Sequence, residues 1–214
     1  MNRREKANFI LITLNGLFPE PRTQLSFGDD FTCLVAVMLS AQCTDAVVNR
    51  VTEKLFRVAR TPQEFADFGE ENLRNAIRPC GLFNTKAKAI IGTAEIILEK
   101  YGGRVPATLE ELEALPGVGH KTASVVVSQC FGKPAFPVDT HIARLANRWG
   151  LEKSPAVAKI EATLKSLFPV CTWKTLHVQL ILYGRKFCPA RGHSVEKCPI
   201  CSRFSSHQFC FANR

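Results

Sequence analysis

The sequence predicts an all-α protein, and three observations carry that expectation. Apolar residues recur at helical spacing in segment after segment. No segment alternates apolar and polar residues as a half-buried strand would. The segments also open on residues that cap helices. Thr61-Pro62-Gln63-Glu64 is the plainest start signal: a capping hydroxyl, proline at the first helical position, and a glutamate that completes the capping box.

The elements follow in order. Arg3 to Phe18 reads as an amphipathic helix stopped by Pro19, and residues 19–30 as a loop. Phe9-Ile10-Leu11-Ile12 behind a basic start resembles a signal peptide only weakly. Thr13 and Asn15 break the run, so a helix is expected. No stretch is long enough to span a membrane. Phe31, Leu34, Val35, Met38 and Leu39 mark a helix ending near Ser40-Ala41-Gln42. Thr44 or Asp45 caps the next, with Val47, Val48, Val51, Leu55 and Phe56 facing inward. The helix opened at Thr61 is followed by a short one over 70–77, broken at Pro79-Cys80-Gly81. Asn84 is the expected cap of a long helix to Tyr101, closed by Gly102-Gly103. Thr108 and Glu111 open another helix, and a further one runs from Thr122 to Cys130. Asp139 caps a helix to about Trp149, Ser154-Pro155 starts the next, and residues 172–186 form the last long one.

A chain of 214 residues can bury a substantial core in one or two domains. Its formal charge of +9 favours a polyanion as partner over an acidic small molecule. The nine cysteines are odd in number, scattered early and clustered late, which is not a secreted disulfide framework. Cys33, Cys80, Cys130 and Cys171 read as small core residues. The last four, Cys188-x9-Cys198-x2-Cys201-x8-Cys210, read as a metal site.

Between the helices that begin at Thr108 and end at Cys130 lies Leu115-Pro116-Gly117-Val118-Gly119-His120-Lys121-Thr122-Ala123. This is helix, tight glycine turn, helix. Gly117 and Gly119 leave backbone N–H groups unshielded around Val118, at a helix N-terminus that favours an anion. For so basic a chain that anion is a phosphate diester, contacted without reading base sequence.

That stretch, followed by Val138-Asp139-Thr140-His141, resembles the helix-hairpin-helix DNA glycosylases of the endonuclease III type, and the resemblance extends over nearly the whole chain. It implies two helical lobes with a central DNA-binding cleft: residues 23–133, and residues 1–22 joined to 134–214. It implies double-stranded DNA with damaged bases or abasic sites as the partner of a monomeric, cytoplasmic enzyme held at the nucleoid by DNA. Lys121 would attack C1′ of the damaged nucleotide and form a Schiff base. The amine must be neutral to attack. A helix N-terminus contributes about 0.3–1 kcal/mol toward that, so desolvation and proton transfer in the assembled complex must supply the rest. Asp139 would stabilise the positive charge that develops as the glycosidic bond breaks. β-Elimination would then cut the strand 3′ to the lesion, giving a glycosylase for oxidised pyrimidines that is also an abasic-site lyase.

The nucleotide must first leave the stack. Gln42 matches the family's inserted polar plug and Leu82 its apolar wedge, with a helix-end residue and a core leucine as the plainer readings. Ser40, Thr44 and Asp45 would line the lesion pocket. His141 would bond a phosphate or help hold the site. Arg191 would touch the phosphate backbone or lie on a solvated basic loop. Cys188, Cys198, Cys201 and Cys210 would hold a [4Fe–4S] cluster, although both outer gaps are longer than the family's. A structural zinc is the alternative, since Cys198-Pro199-Ile200-Cys201 also resembles a zinc knuckle. Two other functional readings remain. One is a monofunctional adenine-type glycosylase, a branch that usually lacks the lysine. The other is a non-catalytic hairpin module that clamps DNA.

Overall fold

The computed structural model describes residues 1–204. Among them no strand forms, and eleven α-helices and one short 3-10 turn carry the regular structure. The chain divides into two compact units, residues 23–133 and residues 1–22 with 134–214. No described helix is long and apolar enough to cross a membrane.

The unit of residues 23–133 is built from α2 (Asp30–Ser40), α3 (Asp45–Leu55), α4 (Pro62–Ala76), α5 (Phe83–Tyr101), α6 (Leu109–Glu113) and α7 (His120–Gln129). α2 is its centre: every residue from Phe31 to Leu39 is buried. A helix buried all round needs a polar cap rather than a polar face. Asp29 supplies it, accepting from the Thr32 N–H at 2.8 Å. Thr44 caps α3, and Thr61 forms the expected box with Glu64 on α4. α4 is broken inside by Gly69 at φ 77°, which divides it into the two expected pieces. α5 starts one residue before Asn84. Its N-cap is Leu82 in a left-handed conformation, with no side-chain bond. The expected Asn84 cap is therefore not used.

Two expectations about cysteine are corrected here. Cys33 on α2 and Cys130 at the end of α7 form a disulfide rather than standing as separate core thiols. Cys171 is exposed, whereas Cys80 is buried as expected. Helical periodicity places Cys33 on an inner face but cannot show that a residue 97 positions later lies opposite it.

The other unit comprises α1 (Arg3–Leu17), α8 (Thr140–Arg148), α9 (Val157–Leu167), the 3-10 turn Val170–Thr172, α10 (Trp173–Lys186) and α11 (Cys201–Phe204). Ile10 and Leu14 of α1, Ile142 and Leu145 of α8, Leu164 of α9 and Leu176 of α10 share one core with Phe136 and Trp149. α9 begins two residues after the expected Ser154-Pro155 signal. The cysteine-rich segment continues this core, with Cys188, Cys198, Ile200 and Cys201 all buried in it.

Candidate functional site

The hairpin is held from below. Leu115 and Val118 are buried while Gly117 and Gly119 lie at the surface. Thr93 of α5 donates from Oγ1 to the Pro116 carbonyl at 3.1 Å. Gly117 has φ 72°, and a Cβ there would stand 2.7 Å from the Ala89 Cβ. Glycine is required on both counts. Gly119 is the N-cap of α7 and offers no side chain, so no cap side chain bonds the N-terminal N–H groups of that helix. At the rim, the His120 ring Nδ1 lies 2.7 Å from Glu113 Oε1 and ties the two arms of the hairpin together. Lys121 stands on the first turn of α7 and is exposed.

Two turns of the same unit carry the plug and wedge positions. Gln42 and Leu82 are the non-glycine residues with positive φ among the described residues, at 53° and 57°. Such a conformation costs an L-residue about 1–2 kcal/mol. The two turns touch, since a Cβ on Gly81 would lie 3.3 Å from the Gln42 carbonyl oxygen. Leu82 is 56% exposed, which sets aside the core reading for it. Gln42 is exposed beside it, and Ser40 and Asp45 are half-buried.

Sequence reasoning missed the residue that supports these turns. Lys86 of α5 is buried and donates from Nζ to the carbonyls of Leu39, at 2.8 Å, and Ala41, at 2.6 Å. It satisfies acceptors at the end of α2 that would otherwise be orphaned. Burial pushes its pKa down, and the neighbouring Cys80 and Cys43 act against that shift. No local pattern could reveal a partner 47 positions away.

In the other unit Asp139 is the N-cap of α8, accepting from the Ile142 N–H at 2.8 Å. His141 is half-buried, with Arg144 Nη2 3.1 Å from its Nδ1. A Cβ on Gly184 would lie 3.2 Å from the Cβ of His141. The packing ties His141 to α10.

Arg144 and Arg148 of α8 bind the start of the cysteine segment. Arg144 Nη2 donates to the carbonyls of Gly184 and Cys188, each at 3.0 Å. Arg148 Nη1 donates to the Pro189 carbonyl at 2.6 Å and lies 3.3 Å from Cys188 Sγ. The Tyr183 hydroxyl is 3.0 Å from Cys198 Sγ and accepts from the Ile200 N–H at 3.0 Å. Hydrogen bonding with Cys188 and Cys201 holds the Cys198 thiol low, and hydrogen bonding with Cys188 and Cys198 pushes Cys201 up. The donor atoms of Cys188, His193, Cys198 and Cys201 all lie within 4.8 Å of one another. His193 was not among the expected ligands. Arg191 is exposed on the same loop. Cys210, the fourth expected ligand, lies outside the described residues.

Comparison with known proteins shows the family. The model of the HhH-GPD superfamily of base excision DNA repair proteins matches residues 35–170. Endonuclease III of Haemophilus influenzae is 44% identical over 200 residues, covering 94% of each chain. That of Escherichia coli strain K12 is 42% identical over 200 residues, with the same coverage. A solved non-covalent endonuclease III–DNA complex superposes with a TM-score of 0.91 at 38% identity, covering 96% of each chain. A trapped endonuclease III–DNA covalent intermediate gives 0.89 at 39% identity, covering 94% of each. A glycine hairpin over a lysine-bearing helix, an aspartate-capped helix and a terminal cysteine cluster, on a fold shared over nearly its full length, place this chain in the endonuclease III family of the HhH-GPD superfamily.

Proposed function

We propose that the chain is a bifunctional base-excision enzyme: a DNA glycosylase for oxidised pyrimidines and a lyase that cuts 3′ to abasic sites. Lys121 carries the reading. It is an exposed amine on the first turn of a helix whose N-terminus no side chain caps. The hairpin N–H groups around Gly117, Val118 and Gly119 grip a phosphate and fix the strand beside that amine. Membership of a family in which one relative has been trapped covalently on DNA supports the same reading.

The chemistry follows from the amine. Neutral Lys121 attacks C1′, the glycosidic bond breaks, and the base leaves with the bonding electrons and takes up a proton. Ring opening gives a Schiff base. The iminium acidifies the C2′ protons, and loss of one expels the 3′ phosphate. The Asp139 carboxylate stabilises positive charge at C1′ as the base departs, and relays protons to and from Lys121. Gln42 and Leu82, already held in the conformation that presents them, fill the gap left by the extruded nucleotide. His141 holds the α8 end of the site, and Arg191 adds a backbone contact. The partner is duplex DNA bound by one copy of the chain, which places the enzyme at the nucleoid.

The thiols of Cys188, Cys198 and Cys201 form a metal centre. The family resemblance assigns it a [4Fe–4S] cluster completed by Cys210, with zinc as the alternative. Either would supply rigidity to the loop, not a reacting group.

Borohydride trapping tests the proposal. The protein is mixed with a duplex bearing one abasic site and reduced, with Lys121→Ala alongside. A covalent protein–DNA band that vanishes in the variant is expected. Absence of the band from folded, DNA-binding protein would remove the lyase chemistry and leave the monofunctional or purely binding readings.

A further inference from the structure

The longer first gap between the cluster cysteines brings in an unexpected donor. His193 stands midway between Cys188 and Cys198, so the segment reads Cys-x4-His-x4-Cys-x2-Cys. Gly192, just before it, has φ 67°, which turns the loop back on itself. The three sulfurs and an imidazole nitrogen thereby come within 4.8 Å of one another, with Cys188 Sγ 3.8 Å from Cys201 Sγ. All three cysteines are at most 2% exposed. The His193 ring lies beside the Cys198 sulfur, within the same 4.8 Å group. Its Nε2 is buried with no hydrogen-bond partner among the described residues. Leaving such an atom unsatisfied costs about 1–3 kcal/mol. Three thiols and an imidazole nitrogen gathered this closely make a donor set for one metal ion.

Spacing discriminates between metals. Around one tetrahedral zinc, Zn–S bonds of about 2.3 Å place sulfurs about 3.8 Å apart. In a [4Fe–4S] cluster each thiolate binds a different iron, so the donor sulfurs stand further apart than around one ion. The donors here are gathered at the single-ion spacing.

We propose that Cys188, His193, Cys198 and Cys201 form a Cys3His site for one tetrahedral zinc ion, complete without Cys210. Binding releases the thiol protons to solvent. Four protein donors leave no open position, so the ion is structural. It closes the basic loop that carries Arg191 onto the end of α10. Arg148 and Tyr183 donate to the ligating sulfurs and offset the negative charge that three thiolates leave on a divalent ion. The proposal rests on the reading of the terminal cysteines as a metal centre and is independent of the chemistry at Lys121.

The test is metal and acid-labile sulfide analysis of the full-length protein, purified without added metal. One zinc per chain, no sulfide and no visible iron–sulfur absorption are expected. Exchange with Co(II) gives tetrahedral d–d bands and thiolate charge transfer. His193→Ala changes those bands and weakens zinc, in competition with a chromophoric chelator, by on the order of tenfold or more. His193→Cys restores tight binding with stronger charge transfer, and Cys210→Ser leaves both readouts unchanged. Iron with matching sulfide would overturn the proposal. So would zinc that is indifferent to His193→Ala or lost in Cys210→Ser. Folded protein with no metal would overturn the metal reading itself. Trapping on abasic-site DNA with the same preparations reports separately on Lys121.

Discussion

Asp139 shows how one side chain serves fold and chemistry together. Its carboxylate caps α8 by accepting from the Ile142 N–H, and the proposed mechanism needs a carboxylate beside C1′. The two roles separate in Asp139→Asn, because asparagine caps a helix about as well as aspartate. Stability should change by no more than about 0.5 kcal/mol, while single-turnover base excision falls by about 10²–10⁴. Chemical denaturation and a quenched-flow assay read the two effects. Equal activity in the variant would leave Asp139 as a cap alone. Lysines divide in the same way: Lys121 is exposed and free to meet a substrate, whereas Lys86 is buried and committed to the carbonyls of Leu39 and Ala41.

At the scale of the element, the hairpin depends on its two glycines for different reasons. Gly117 has positive φ and no room for a Cβ, while a Cβ on Gly119 would meet nothing within 4 Å. Gly117→Ala should therefore cost about 2 kcal/mol or more in stability. It should also weaken DNA binding by displacing the Val118 turn. Gly119→Ala should cost less than about 1 kcal/mol, the loss of a fair N-cap residue. Urea denaturation of the two variants checks the order, and comparable losses would contradict the packing argument. α5 illustrates the reverse case, a helix that starts on the strained Leu82. An exposed leucine held in a left-handed conformation is a feature that packing alone does not require.

For the whole molecule the relevant quantity is charge. A formal charge of +9 on a chain of this family predicts that phosphate contact supplies most of the affinity for DNA. The logarithm of the binding constant for undamaged duplex should fall linearly with the logarithm of salt concentration, with a slope of about −0.9 for each phosphate neutralised. Arg191→Ala should reduce that slope by about one. A flat salt dependence, measured by fluorescence anisotropy, would contradict phosphate-dominated binding. Arg144 and Arg148 count toward the formal charge but are engaged by the carbonyls of residues 184–190.

The sequence by itself determined the all-helical class, most helix boundaries and the hairpin, because caps, glycines and apolar spacing are local physics. It also determined the family, through Leu115–Ala123 and Val138–His141. What it left open depended on residues far apart in the chain. The Cys33–Cys130 disulfide, the Lys86 brace under Gln42, the exposure of Leu82 and the approach of His193 to three cysteines each need a partner or a neighbour that no local pattern encodes. Periodicity says which way a side chain faces along its own element. Only the packing of one element on another decides what it meets there, and that is why the cysteines of the proposed metal site were legible in the sequence but His193 was not.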